Sequence, residues 1–213
     1  MFEKISALGF PFYKFYYDKN KISKVYEELL NLEYYENANN MMWSGMKENG
    51  TGDNLHSLPQ FKDLFLWFAQ CLDEVKKDMR LTCDELTIAS SWANLNKTNQ
   101  SVHPHHHPNC FISSNYYASG IPNDKTVFYV ENPYFKTSNL QPISSEDVDK
   151  GGLCLKHEEA TEPGKYVIFP ASTLHYATPN TDQEPRVTIT ANIYPSGMIS
   201  CGGVSNLKIK VIN

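Results

Sequence analysis

The sequence predicts an α+β fold in which a pair of helices packs on a β-sandwich or barrel. Three observations carry this expectation. Two apolar stripes at helical spacing occupy the first 82 residues. At least six short segments of period 2 follow, separated by turn signals. Aromatic residues make up 13% of the chain and thirteen are tyrosines, a composition that suits pleated, half-buried surfaces.

The first helix is expected over 21–32, where Ile22, Val25, Leu29 and Leu30 share a face. The second is expected over 59–80. Pro59 suits a first-turn position, and Phe61, Leu64, Phe65, Phe68, Leu72, Val75 and Met79 form its stripe. Residues 36–58, rich in Asn, Gly, Met and Ser, read as loop between them. Candidate strands then run over 85–95, 110–118, 125–131, 152–156, 164–169 and 185–194. Turn signals such as Gly120-Ile121-Pro122-Asn123-Asp124 and Pro179-Asn180-Thr181-Asp182 divide them. A helical pair followed by a run of strands is the pattern of helices packed on a β layer. We therefore expect a single domain over 1–213. Residues 1–82 form its mainly helical front, 83–195 its strand-rich core and 196–213 a C-terminal extension.

Composition narrows the function classes. With 213 residues the chain can bury one sizeable core. A net charge of −5 gains little from a phosphate backbone and disfavours nucleic acid as a partner. No apolar run approaches the roughly 20 residues of a membrane span, and Met1-Phe2-Glu3-Lys4-Ile5-Ser6 does not open a signal peptide. Cys71, Cys83, Cys110, Cys154 and Cys201 are odd in number and irregular in spacing, which argues against a disulfide framework and for a reducing cytoplasm. The opening Phe10-Pro11-Phe12-Tyr13-Lys14-Phe15-Tyr16-Tyr17 can serve as a homodimer surface or an added strand, although packing against the sheet is its ordinary use.

Two clusters carry chemistry. The segment His103-Pro104-His105-His106-His107-Pro108-Asn109 holds four of the seven histidines. In an extended chain His103, His105 and His107 share one face, and any two can bind one cation; the bland alternative is a solvated, His-rich loop. The second cluster is Gly164-Lys165-Tyr166-Val167-Ile168-Phe169-Pro170, a turn, a buried strand and a stop, followed by His175. In strand 185–194 Val187, Ile189, Ala191 and Ile193 lie on one face, and Arg186, Thr188, Thr190 and Asn192 on the other. That second face is either a solvent-exposed surface or the floor of a pocket. As a floor, the arginine fork would grip a carboxylate and the threonine would add a hydroxyl. If His175 binds a metal, a dicarboxylic keto acid has the shape to span metal and Arg186.

These motifs resemble a known family. His105-x-His107-Pro108-Asn109, Ser113-Ser114-Asn115-Tyr116-Tyr117, Gly164-x5-Pro170 with His175, and Arg186-x-Thr188 are similar to those of small 2-oxoglutarate/Fe(II)-dependent oxygenases common in marine phages and bacteria, within the prolyl-hydroxylase-like superfamily. Ser91-Trp92-Ala93-Asn94 and Asn132-Pro133 extend the likeness, which covers about 87–194.

The resemblance implies a double-stranded β-helix, or jelly roll. It also implies a dioxygenase that hydroxylates a C–H bond of a small-molecule or peptide substrate with O2, releasing succinate and CO2. Its cofactor would be Fe(II) and its cosubstrate 2-oxoglutarate; a phage-encoded enzyme would work in the host cytoplasm. The usual site is His-x-Asp/Glu with a distal His, an open facial triad. No Asp or Glu stands two residues after any histidine of 103–107, so the resemblance, so modified, implies His105, His107 and His175 as ligands and catalytic centre, with His103 the alternative partner of His105. Arg186 and Thr188 would hold the far carboxylate. Asn94, Ser113, Tyr117 and Asn192 are candidate pocket donors, whereas Trp92 is expected in the core. Two other readings share parts of the pattern: a cupin-type metal dioxygenase or isomerase, and a non-catalytic jelly-roll binding or structural protein.

Overall fold

The computed structural model describes residues 2–8, 10–36, 42–43, 54–108, 110–131, 154–200 and 206–211. Two strands come first, β1 (Glu3–Ala7) and β2 (Phe10–Tyr16), then helix α1 (Lys19–Leu30), short strands β3 (Tyr35–Glu36) and β4 (Met42–Trp43), and helix α2 (Lys62–Asp78). The remaining strands are β5 (Cys83–Asn96), β6 (Val102–His105), β7 (Ile112–Tyr117), β8 (Lys125–Glu131), β9 (Cys154–Ala160), β10 (Lys165–Pro170), β11 (Leu174–Ala177), β12 (Arg186–Ser200) and β13 (Asn206–Ile209).

Local chemistry accounts for the helices. Asp18 caps α1 by accepting from the Asn20 backbone N–H at 3.0 Å. A single 3-10 turn starting at Pro59 leads into α2. Asp63 in the first turn of α2 and Lys76 and Lys77 in its last complement the helix dipole. The predicted stripe, from Leu64 and Phe65 to Phe68, Leu72 and Val75, is buried. It meets the sheet at Phe68 and Tyr166, whose rings stack 4.0 Å apart.

The strands form two antiparallel sheets. The larger runs β1-β2-β10-β7-β12-β5-β4-β3, with β13 on β12; the smaller runs β6-β11-β8-β9. Alternation along each strand sorts side chains between two layers. Tyr166, Ile168, Val187, Ile189, Ala191 and Ile193 join the helix-side core. Val167 and Phe169 point the other way, between the sheets, where they meet Phe12, Tyr117 and Phe128. The sandwich interior is apolar only at that end. At the other end it opens into a polar cavity. Gly164 makes the turn into β10 at φ +85°, and a Cβ there would fall 2.4 Å from Ile22. Its N–H donates to Tyr117 O at 2.7 Å, tying that turn to β7.

The sandwich with two helices on it is the expected double-stranded β-helix. Some boundaries differ. The aromatic opening is a strand, because Phe12, Tyr13 and Phe15 are buried on both of its faces and β2 pairs with β10. Segment 36–58 is not wholly loop, since β4 and a 3-10 turn at Leu55–Ser57 fall within it. β9 runs to Ala160, and β12 continues to Ser200, past the boundary expected at 195. β6 and β11 have four residues each, too few to show a period. Among the described residues, no helix is long and apolar enough to cross a membrane.

Candidate metal and cosubstrate site

Three histidines meet inside the sandwich. His105 ends β6, His175 lies on β11 directly opposite it in register, and His107 follows two residues after His105. One ligand nitrogen from each lies within 4.8 Å of the other two. The His107 backbone N–H donates to Ala171 O at 3.0 Å, which draws the chain after β6 against the turn between β10 and β11.

Each ring is oriented by an oxygen acceptor. His105 Nδ1 lies 2.7 Å from His103 O, and His175 Nδ1 lies 2.9 Å from Thr173 O. His107 Nδ1 lies 2.8 Å from Asn192 Oδ1. A carbonyl oxygen only accepts, so each Nδ1 carries the proton and each Nε2 presents a lone pair. His107 Nε2 is buried with no protein partner. Burial first, and the neighbouring imidazoles second, push His107 down to about 4 and His175 down to about 3. Burial lowers His105 as well. Three neutral imidazoles with converging lone pairs suit a first-row divalent ion, and a hydrogen-bonded Nδ1 is the usual support for a metal-binding histidine. These residues fit Fe(II). Phe128 and Phe169 flank His175 at ring distances of 5.7 and 5.0 Å and keep that side apolar.

A cavity of about 350 Å³ adjoins the histidines. Its floor is the polar face of β12: Arg186, Thr188, Thr190 and Asn192. Asn94 and Asn96 of β5 and Asn115 and Tyr117 of β7 complete the floor, because Thr188 pairs with both Asn94 and Tyr117, and Thr190 with Asn115. A hydrogen-bonded row crosses it. Trp92 Nε1 donates to Asn94 Oδ1, Asn94 Nδ2 to Thr190 Oγ1, and Thr190 Oγ1 to Asn115 Oδ1. Tyr117 Oη donates to Thr126 Oγ1 at 2.8 Å.

Arg186 is 1% exposed and lines this cavity. Its Nη2 donates to Thr178 O at 2.8 Å. Its Nη1 lies 3.5 Å from Asp124 Oδ2, an ion-pair distance, and makes no hydrogen bond. Burial lowers the guanidinium pKa while Asp124 opposes that shift. Thr178 stands three residues beyond His175, a strand separation of about 10 Å.

The expected residues therefore divide. His105, His107 and His175 come together. Arg186, Thr188, Asn94, Tyr117 and Asn192 all line the adjoining cavity. His103 does not join them: its side chain is exposed and only its carbonyl touches the cluster. Ser113 is buried beside Asn192 in register, with an unpartnered hydroxyl, and lies outside the cavity wall. Trp92 is half-buried in the cavity wall, its ring stacked 5.8 Å from His107, and is not in the core. Thr190 lies on the expected pocket-floor face; Asn96 and Asn115 had no site role assigned from sequence, although period 2 along β5 and β7 marks both. Asn109, Asn132 and Pro133 lie outside the described residues.

Comparison with known proteins agrees with this geometry. Residues 90–192 match the family model described as "Putative 2OG-Fe(II) oxygenase". No curated protein matches the sequence. Solved structures share the fold. A Pseudomonas putida prolyl-4-hydroxylase superimposes with a TM-score of 0.58 at 10% identity, covering 87% of this chain and 93% of that one. The epimerase SnoN, in complex with Fe3+, alpha ketoglutarate and nogalamycin RO, gives 0.62 at 11% identity, covering 94% and 89%. HygX from Streptomyces hygroscopicus, with nickel and 2-oxoglutarate bound, gives 0.58 at 12% identity, covering 86% and 82%. The family match over 90–192, on a fold that carries a triad of histidines, supports a 2-oxoglutarate- and Fe(II)-dependent oxygenase.

Proposed function

We propose that His105, His107 and His175 hold Fe(II) through Nε2, and that Arg186 and Thr188 receive the far carboxylate of 2-oxoglutarate. The reaction is then hydroxylation: a substrate C–H, 2-oxoglutarate and O2 give the alcohol, succinate and CO2. The observation that carries this reading is three imidazoles with one ligand nitrogen each within 4.8 Å of the others, each ring's Nδ1 at hydrogen-bond distance from an oxygen, and His107 Nε2 buried and unpartnered.

Bound Fe(II) supplies the oxygen-activating chemistry. The protein supplies position. His107 occupies the place of the usual carboxylate ligand, so the protein's ligands bring no negative charge. Arg186 fixes the length of the keto acid that fits, because its guanidinium is anchored on Thr178 O, about 10 Å along the strand from His175. The Asn94–Thr190–Asn115 row uses its members on one another and fixes their orientation before any ligand arrives. Beyond these groups the described cavity wall has Trp92, Val102, Tyr176 and the exposed His106 but no Asp, Glu or Lys, and suits a part of a small-molecule or peptide substrate that carries no strong charge.

An anaerobic Fe(II) and 2-oxoglutarate preparation exposed to O2 tests the reading. Succinate should form in proportion to added Fe(II), and His107→Ala and His175→Ala should abolish it. Product formation without succinate would favour a cupin-type enzyme. Neither product nor metal uptake would favour a binding module.

A further inference from the structure

The guanidinium assigned to the cosubstrate already has a carboxylate beside it. Asp124 is 1% exposed, as is Arg186, and Oδ2 lies 3.5 Å from Arg186 Nη1. Yet Asp124 makes no hydrogen bond to the arginine. Its oxygens are instead held by Thr181, whose hydroxyl donates to Oδ1 at 2.7 Å and whose backbone N–H approaches Oδ1 and Oδ2 at 3.3 and 3.2 Å. Arg186 Nη1 is left without a hydrogen-bond acceptor. Arg186 lines the cavity and Asp124 stands behind it. The carboxylate is close enough to neutralise the cation and is held back from occupying its fork.

We infer that Asp124 is a positioning residue that tunes how tightly Arg186 grips a dicarboxylate, and that Thr181 sets the balance; the inference rests on the cosubstrate role of Arg186 proposed above. A lone buried guanidinium would be costly in the empty site and would hold any diacid strongly. With Asp124 alongside, an arriving carboxylate meets a near-neutral pair. Binding is weaker, and succinate, which retains the carboxylate that Arg186 receives, leaves more readily. Removing the Asp124 charge therefore tightens diacid binding. Removing the Thr181 hydroxyl frees a carboxylate lone pair for Arg186 and weakens it. Thr181 is exposed, so its hydroxyl can be removed without disturbing a core.

The test is calorimetric titration of the anaerobic Fe(II)-loaded enzyme with 2-oxoglutarate, succinate and 2-oxobutanoate, which has the chelating head but no far carboxylate. Asp124→Asn should lower the Kd for 2-oxoglutarate and succinate about tenfold and leave 2-oxobutanoate unchanged. Its melting temperature should fall without ligand and rise further on adding 2-oxoglutarate than the parent's does, because tighter binding to the folded state stabilises it more. Thr181→Val should raise the diacid Kd severalfold. If Asp124→Asn weakens or does not change diacid binding while Arg186→Met loses it, the tuning role is overturned and the anchor stands. If Arg186→Met also has no effect, the anchor itself fails. Should Asp124→Asn not fold, Thr181→Val decides alone, and an unchanged diacid Kd there overturns the inference.

Discussion

His107 and Asn192 are joined by a 2.8 Å hydrogen bond from the ring Nδ1 to the amide Oδ1. The bond links the histidine proposed to take the place of the usual acidic ligand to the strand that carries Arg186. It fixes the His107 tautomer and leaves Nε2 free for a metal beside His105 and His175, whose rings lie 5.2 Å away. Asn192→Ala should weaken metal binding by about 10–100-fold with the fold intact, the usual loss when such support is removed. Competition titration with a chelating dye reads this directly. Asn192→Asp restores an acceptor and should recover most of the affinity.

The choice between His103 and His107 as the partner of His105 is also open to test. The His103 side chain is exposed, and its contribution to the cluster is a backbone carbonyl that any residue supplies. His103→Ala should therefore leave metal affinity within about twofold of the parent, while His105→Ala and His107→Ala should each abolish stoichiometric binding. Loss of metal from His103→Ala would move the site.

Arg186→Ala should leave the metal bound and raise the 2-oxoglutarate Kd by about two orders of magnitude, the effect of truncating one member of a buried charge pair at ~3 kcal/mol. It also leaves Asp124 buried and unpaired, so the ligand-free protein should lose stability. The double variant Arg186→Ala/Asp124→Asn should regain stability without regaining cosubstrate. Circular dichroism melts and calorimetry separate the two effects.

Acid should unfold the metal-free protein early. Burial holds His107 near 4 and His175 near 3, below the unfolded value of about 6.5. The unfolded chain then binds protons that the folded chain refuses. Their contribution is fully present above about pH 6.5 and is lost as pH falls towards 4, by roughly 1.4 kcal/mol per pH unit for each group. Denaturant midpoints measured from pH 7.5 to 4.5 should fall along that interval. The fall should flatten in a variant carrying His107→Phe and His175→Phe. Equal slopes in parent and variant would remove these imidazoles as the cause.

Much of the site was legible because it lies on strands whose period is 2. Val187, Ile189, Ala191 and Ile193 against Arg186, Thr188, Thr190 and Asn192 is a pattern that only a strand with one core face and one polar face explains. The same parity misled at two places. It puts His103 with His105, but β6 ends at His105, and the chain turns so that His107, not His103, completes the cluster. It puts Ser113 with Asn115 and Tyr117, which is true of the face, but the cavity stops short of Ser113. Trp92 read as core because an indole is large and apolar, yet it shares its face with Asn94 and Asn96. Asp124 carried no local signal, since its meaning comes from a guanidinium on a strand distant in sequence. The aromatic opening, Phe12 to Phe15, lacks polar alternation because it is buried on both faces of β2.

A crystal structure of the anaerobic complex with Fe(II) and 2-oxoglutarate tests the central claim most directly. The account predicts one ion bound by Nε2 of His105, His107 and His175, with the far carboxylate of the keto acid on Arg186. An ion bound by His103, an aspartate or glutamate in the coordination sphere, or a keto acid that leaves Arg186 untouched would contradict it.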